Sequence, residues 1–396
     1  MSTARKKLEK VRGLIVKTIT GAVRSAPTNA LGYLTDIEPL HLRIIAEAAN
    51  ALIRVRESFG GGRIWASAYA KLPKDLTRNK ILEMTPDWTN SKFMFDKKYR
   101  VSFPSRQDWQ EGTALPPGRQ LWFTDGSKIQ GGSGCGVYQR RCGKGSFISM
   151  GTLSTTFQTE LMAIIHCTHR VLESPVHGGI CICSDSRGLL QALQSHSTKS
   201  KLLYECFEML NRIAINREVE LIWVPGHTGI KGNEIADRLA GLGSRHPLIG
   251  PEPIVGISKS LIKTVIKQWL HNTSLKEWKV ATGCRQSKAL LGTSVLRKGE
   301  DCGLYSLNRK EAKTLAAILT GHGVLRYWES KAGRSTTSLC RFCGEECETT
   351  EHVLCSCPAR IYRRWRLTGS PQWTKDEIAG LKAPTVLSRW RAVMED

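Results

Sequence analysis

The run Ile180-Cys181-Ile182-Cys183 places four apolar side chains in succession, which leaves a β-strand no polar face to turn toward water. A strand buried on both faces belongs in a parallel pairing with helices packed on each side of the sheet. The flanking sequence supplies such a setting. Upstream, Leu121-Trp122-Phe123-Thr124, Gly136-Val137-Tyr138 and Phe147-Ile148-Ser149-Met150 read as three strands of an antiparallel meander, with turns at Gly131-Gly132 and Gly143. Between the meander and the buried run, Leu161, Ile164, Ile165, Thr168 and Leu172 share one face of a helix from about Thr156 to Leu172. Ser154, Thr155 or Thr156 can cap it, and Ser174-Pro175 stops it. Helical stretches near 188–195 and 201–216, a strand at 220–224 and a helix from about Asn233 to Leu242 complete the series. This order predicts a mixed α/β fold whose later crossovers are right-handed.

The rest of the chain has a different texture. Residues 1–58 form a basic helical segment, with Leu14, Ile15, Ile19, Leu40, Leu42, Ile44, Ile45, Ala48 and Leu52 at three- and four-residue spacings. Their apolar faces need covering. Residues 59–117 lose periodicity and gather Gly60-Gly61-Gly62, Pro104 and Pro116-Pro117, so they read as a linker. Residues 247–334 form a basic helical connector with Leu261, Ile262, Val265, Ile266, Trp269 and Leu270 on one face, read first as an interdomain packing face; Lys259, Lys263 and Lys267 fit phosphate contact better than a membrane surface. A Cys-rich motif at 335–360 and a tail at 361–396 follow.

A chain of 396 residues is long enough for two or three cores. With 58 Lys+Arg against 35 Asp+Glu, its net charge of +23 attracts polyanions through counterion release, so nucleic acid is the expected partner. No apolar stretch long enough to span a bilayer occurs, and the basic start Arg5-Lys6-Lys7 lacks a following apolar region. Neither secretion nor membrane insertion is expected. The odd count of 13 Cys fits reduced thiols plus a metal site, hence a reducing intracellular compartment, nucleus and cytoplasm not distinguished. Cys135, Cys142, Cys167, Cys181, Cys183 and Cys206 are read as small buried hydrophobes, and His166 and His169 as packing or surface residues.

Four acids fall where this topology brings chain ends together. Asp125 ends the first strand and Asp185 ends the buried one, so parallel neighbours put both carboxylates at one sheet edge. Glu160 sits at the start of the connecting helix, and Asp237 arrives from the last helix. Clustered hard oxygen donors without His or Cys suit Mg²⁺. Two such ions about 4 Å apart activate water and relieve charge on a leaving oxygen in phosphodiester hydrolysis. His227, flanked by Gly226 and Thr228-Gly229, is placed to move a proton. Ser127 and Asn233 are either substrate contacts or, equally, a turn residue and a helix N-cap.

The strings LWFTDGS, FQTELMAI, CSDSRGLLQAL and WVPGHTGIKGNEIADRLA resemble the consecutive motifs of type-1 ribonuclease H, in that family's order. The resemblance implies a domain at 118–246 with a five-stranded mixed sheet, three strands antiparallel plus two parallel, and helices on both faces. It implies that Asp125, Glu160, Asp185 and Asp237 coordinate two Mg²⁺, with Mn²⁺ as a substitute, and that His227 assists proton transfer or product release. The activity implied is endonucleolytic hydrolysis of the RNA strand of RNA–DNA hybrids, recognised through the minor groove and 2′-hydroxyls. Integrases and transposases share the fold but lack the GHTGIKGNEIAD string.

Cys340-x2-Cys343-x8-His352-x4-Cys357 offers three thiolates and an imidazole, a set that suits tetrahedral Zn²⁺, with Cys347 and Cys355 as alternative ligands. Such a CCHC-like site can order a segment with little core of its own. The string LTGHGVLRYW followed by CRFCGEECETTEHVLCSCPA resembles the zinc-binding tail after ribonuclease H in polyproteins of insect-type non-LTR retrotransposons. Residues 5–42 are similar to the segment after the polymerase core in those elements. That resemblance implies a polyprotein fragment or derivative, with a reverse transcriptase supplied in cis or in trans. The other reading is a catalytically silent, nucleic-acid-binding retroelement remnant.

Overall fold

The computed structural model describes residues 3–59, 62–173, 178–291, 303–323, 325–379 and 381–395. The chain divides into two compact units, one of residues 49–266 and one combining residues 1–48 with 267–396. The helix stop expected at Ser174-Pro175 and the Gly60-Gly61 start of the expected linker lie outside the described residues.

The N-terminal helices are α1 (Thr3–Thr20), α2 (Thr28–Leu34) and α3 (Leu40–Phe59), followed by the short α4 (Arg63–Tyr69), α5 (Lys74–Thr77) and α6 (Arg106–Glu111). The strands are β1 (Lys92–Phe93), β2 (Arg100–Ser102), β3 (Gln120–Ile129), β4 (Gly132–Gln139), β5 (Gly145–Gly151), β6 (Ile180–Ser184), β7 (Ser197–Thr198) and β8 (Val219–Trp223). Among the later helices are α7 (Thr156–Glu173), α8 (Arg187–Gln194), α9 (Lys201–Ala214), α10 (Lys231–Arg245) and α11 (Lys259–Val280).

The unit of residues 49–266 is built on a sheet of order β2-β8-β6-β3-β4-β5. β3, β4 and β5 are antiparallel, while β6 pairs in parallel with both β3 and β8, as the buried apolar run requires. Every residue of β6 is buried. Its alternate side chains enter two cores: Ile180 and Ile182 join Trp122, Leu161, Ile164 and Leu210 on one face, and Cys181 and Cys183 join Phe123, Ile222 and Ala236 on the other. Period-two alternation thus puts α7 and α9 on one side and α10 on the other.

Two expectations change here. The sheet has six strands, because β2, inside the expected linker, pairs in parallel with β8. A three-residue edge strand is too short to show the alternation by which strands are read, although Val101 and Phe103 pack against the core beside it. Residues 62–117 are therefore largely part of the folded unit. Cys142 is exposed, with its thiol donating to Gln139 Oε1 at 2.7 Å, whereas Cys135, Cys167, Cys181, Cys183 and Cys206 are buried as expected.

In the other unit, Val16, Leu31 and Tyr33 share a core with Leu315, Ile318, Cys340, Cys357, Trp373 and Leu387. Tyr33 stacks on Trp278 at 4.5 Å between ring centroids. The chain ends and the Cys-rich motif thus share one core, where the sequence suggested separate segments and a motif with little core of its own. Sequence distance hides such pairings, since amphipathic helices 300 residues apart carry no mark of which apolar face covers which. Part of the α1 face stays open, with Leu14 70 % exposed. No helix among the described residues is long and apolar enough to cross a membrane.

Candidate active site

The parallel ladder between β3 and β6 ends at the pair Thr124 and Ser184, so Asp125 and Asp185 are each the next residue past it. Asp125 does not end its strand, as the sequence suggested; β3 continues to Ile129 along the antiparallel β4. The inference about the shared edge survives, because it depends on where the parallel pairing stops. Glu160 is the fifth residue of α7, whose start is fixed by Thr155: its hydroxyl accepts from Gln158 N at 3.3 Å while Gln158 Oε1 accepts from Thr155 N at 3.1 Å. Oxygens of Asp125, Glu160 and Asp185 lie within 4.8 Å of one another.

Asp237 reaches this group through backbone packing. Asp125 pairs with Gly136 across the β3–β4 ladder, and a Cβ on Gly136 would fall 2.4 Å from Ala236 O and 2.5 Å from Ala240 N. Gly134 is equally close to Gly243, at 2.3 Å. These glycines recur every second residue and so line the one face of β4 on which α10 lies backbone to backbone. The Asp237 side chain is held within hydrogen-bonding reach of Asp125. It stands outside the tight triad, next to one of its members.

The cluster is electrostatically frustrated. Burial, then repulsion from Asp185 and Asp237, pushes the Asp125 carboxyl up to about 8, with a backbone hydrogen bond from Gly126 opposing the shift. Burial, followed by repulsion from Asp125 and Asp185, also raises Glu160 well above the usual carboxylate range. Glu160 Oε2 is buried and accepts no hydrogen bond among the described residues. A divalent cation relieves both conditions, supplying the missing partner and the missing positive charge; the all-oxygen donor set fits Mg²⁺.

Around the triad, Asn233 Nδ2 donates to Asp185 Oδ2 at 3.2 Å, and Trp223 Nε1 donates to the Asp185 carbonyl at 3.2 Å. Asn233 is buried as the third residue of α10, so it is neither the N-cap nor an exposed contact; it positions Asp185. Ser127 Oγ lies 3.5 Å from Ser244 Oγ. A Cβ on Gly226 would lie 2.9 Å from Asp185 Oδ2, which brings the loop carrying His227 against the cluster. His227 itself is exposed, with φ of +57°. The close-approach glycines Gly126, Gly134, Gly136 and Gly226 were missed in the sequence; only the alternation Gly132-x-Gly134-x-Gly136 was a legible signal.

In the other unit, one ligand atom each from Cys340, Cys343, His352 and Cys357 falls within 4.8 Å of the rest. Cys340 Sγ is 3.9 Å from Cys357 Sγ, and Cys343 Sγ is 3.3 Å from His352 Nε2. The loop turns through Gly344, at φ of +74°, with Gly344 N donating to Cys340 O at 2.8 Å. Burial opposes ionisation of Cys343, yet backbone N–H groups of Glu345 and Glu346, with His352 and Cys340, bring its thiol down to about 7. Burial, then repulsion from Cys340, pushes Cys357 up to about 12. His352 Nδ1 faces Glu346 Oε2 at 2.9 Å, which leaves Nε2 for the cluster. Of the alternatives, Cys347 is exposed beside Ser338 and Cys355 is buried, with burial raising its thiol to about 11. Neither joins the group.

The family model described as RNase H matches residues 117–245, a span that contains the acidic cluster and His227. A ribonuclease H of Actinobacillus pleuropneumoniae serotype 5b (strain L20) is 29% identical over 142 residues, 32% of this chain and 91% of that protein. The fold, the position of the carboxylates and both similarities agree: residues 117–245 of this chain are an RNase H domain.

Proposed function

We propose that this domain is an endonuclease that cuts the RNA strand of RNA–DNA hybrids, with Asp125, Glu160, Asp185 and Asp237 holding two Mg²⁺ ions. The observation that carries the reading is the convergence of Asp125, Glu160 and Asp185 around Glu160 Oε2, which is buried without a partner among the described residues. The ions, when bound, supply an activated water and charge relief at the leaving oxygen. The chain's own residues do the rest. Asp125 and Asp185 present oxygens from the rim of the sheet, Asn233 holds the Asp185 carboxylate while Trp223 holds its backbone carbonyl, and Glu160 reaches in from α7. His227, exposed on its loop, carries a proton to or from the cleaved ends or speeds product departure.

The wider setting is part of the same reading. Cys340, Cys343, His352 and Cys357 hold a structural Zn²⁺, whose donors and second partner, Glu346, fit tetrahedral coordination. The chain derives from a non-LTR retrotransposon polyprotein, acts in a reducing compartment and works with a reverse transcriptase in cis or in trans. Purified protein incubated with a hybrid labelled on the RNA strand is expected to cleave it with Mg²⁺ and not with EDTA, and Asp125→Asn is expected to be inactive. Cleavage by Asp125→Asn at the wild-type rate, or hybrid binding by wild type without cleavage, rejects the reading.

A further inference from the structure

The segment 88–98, outside the span that matches the RNase H family, forms a ribbon with 196–199 on the unit of residues 49–266. Lys92 pairs with Thr198 and Phe93 with Ser197, and the pairing extends through Thr89 N to Lys199 O and Met94 N to His196 O, both 2.8 Å. Met94 turns inward and is fully buried, and the Tyr99 hydroxyl bonds Leu193 O at 2.9 Å, so the ribbon is anchored. Its outward residues are aromatic: Phe93 is 61 % and Phe95 70 % exposed. Their rings stack at 5.4 Å with 10° between planes, and His196 lies 5.9 Å from Phe95.

At the other end of the ribbon, cations gather. Lys199 and Lys259 lie 5.2 and 4.2 Å from the Trp88 ring, and Arg54 and Lys263 line the same hollow. The neighbouring carboxylate of Asp87 is engaged with Ser200 Oγ at 2.7 Å and Leu202 N at 2.9 Å, capping α9. Contiguous exposed apolar side chains, unlike scattered single ones, mark sites where a partner binds. A surface with stacked rings at one end and clustered cations at the other fits bases and phosphates of an unpaired strand, because every base has a π-face. Paired bases inside a duplex offer no such face. From residue 88 to 95 an extended chain covers roughly 23 Å, enough for about three or four nucleotides. The eight residues of α8, roughly 12 Å of helix, separate Asp185 from the ribbon.

We propose that this ribbon is a docking surface for single-stranded nucleic acid, holding an unpaired extension of a hybrid with bases on Phe93 and Phe95 and phosphates on Arg54, Lys199, Lys259 and Lys263. It rests on the ribonuclease reading only for the duplex that accompanies the strand.

The test measures binding in EDTA, by fluorescence polarisation, of a blunt hybrid and of the same hybrid with a six-nucleotide single-stranded extension. Wild type is expected to bind the extended hybrid at least roughly fivefold tighter. The double variant Phe93→Ala/Phe95→Ala is expected to lose that gain while binding and, with Mg²⁺, cleaving the blunt hybrid as wild type does. Phe93→Tyr/Phe95→Tyr keeps the rings and is expected to keep the gain. An equal affinity of wild type for both hybrids, or a full gain in the alanine variant, overturns the proposal. So does loss of self-association or vesicle binding in the alanine variant while the gain persists, since the rings then serve a protein or lipid contact. Failure of the nuclease reading shows separately, as binding by wild type without cleavage.

Discussion

Gly126 lies so close to the start of α7 that a Cβ on it would sit 2.3 Å from the backbone nitrogen of Glu160. The obstacle is backbone, which cannot rotate away. Gly126→Ala is therefore expected to displace Glu160 from Asp125 and Asp185. A displacement on the order of 1 Å at a catalytic group costs roughly 100-fold in rate, and overpacking costs about 1–3 kcal/mol. Initial rates on a labelled hybrid together with thermal melts check both; wild-type rates would show that the glycine is dispensable.

The raised carboxyl of Asp125 makes stability depend on pH in a defined direction. Its folded value, about 8, lies above the ordinary value of 3.8, so the folded state binds the proton more tightly. That contribution is complete below about pH 4 and is lost as pH rises through about 8. Metal-free wild type is expected to lose Tm across this window more steeply than Asp125→Asn, and the stabilisation from added Mg²⁺ is expected to grow with pH. Parallel Tm-against-pH curves for the two proteins would contradict this.

His227 is exposed on its loop. His227→Ala is expected to lower kcat by about 100-fold, in the range of general acid–base catalysis, while Tm changes by no more than about 1 °C. A large Tm loss would mean a structural role instead.

Metal analysis of reduced protein is expected to find one Zn²⁺ per chain, lost in Cys343→Ser and Cys357→Ser and kept in Cys347→Ser. Glu346→Gln removes the carboxylate facing His352 Nδ1 and is expected to weaken Zn²⁺ binding by roughly 10- to 100-fold. Competition with a colorimetric chelator measures it. Retention of zinc by Cys343→Ser would remove this residue from the ligand set.

Near the same loop, Glu348 is fully buried and bonded by Arg341, with Nη2 to Oε1 at 2.6 Å and Nε to Oε2 at 2.8 Å. Among the described residues, Arg341→Ala leaves the carboxylate with the backbone N–H groups of Arg326 and Arg341. A loss of about 3 kcal/mol is expected, from the uncompensated buried charge. Denaturant unfolding of Arg341→Ala and of the double variant Arg341→Ala/Glu348→Gln tests it, because the second change is expected to recover part of the loss.

What the order of residues determined by itself was local. The apolar Ile180–Cys183 run required a strand buried on both faces, helical spacing marked α7, and the contexts of Asp125, Glu160, Asp185 and Asp237 marked them as one acidic set. Those features are legible because period and burial are properties of neighbouring residues. Only the tertiary structure decided which glycines let backbones touch, that Asn233 holds Asp185, that β2 joins the sheet, and that α1 and α2 share a core with the Cys-rich motif. It also chose Cys340, Cys343 and Cys357 over Cys347 and Cys355. The physical reason is the same in each case: close approach is set by packing between segments far apart in the chain, and one segment carries no record of the surface that will cover it.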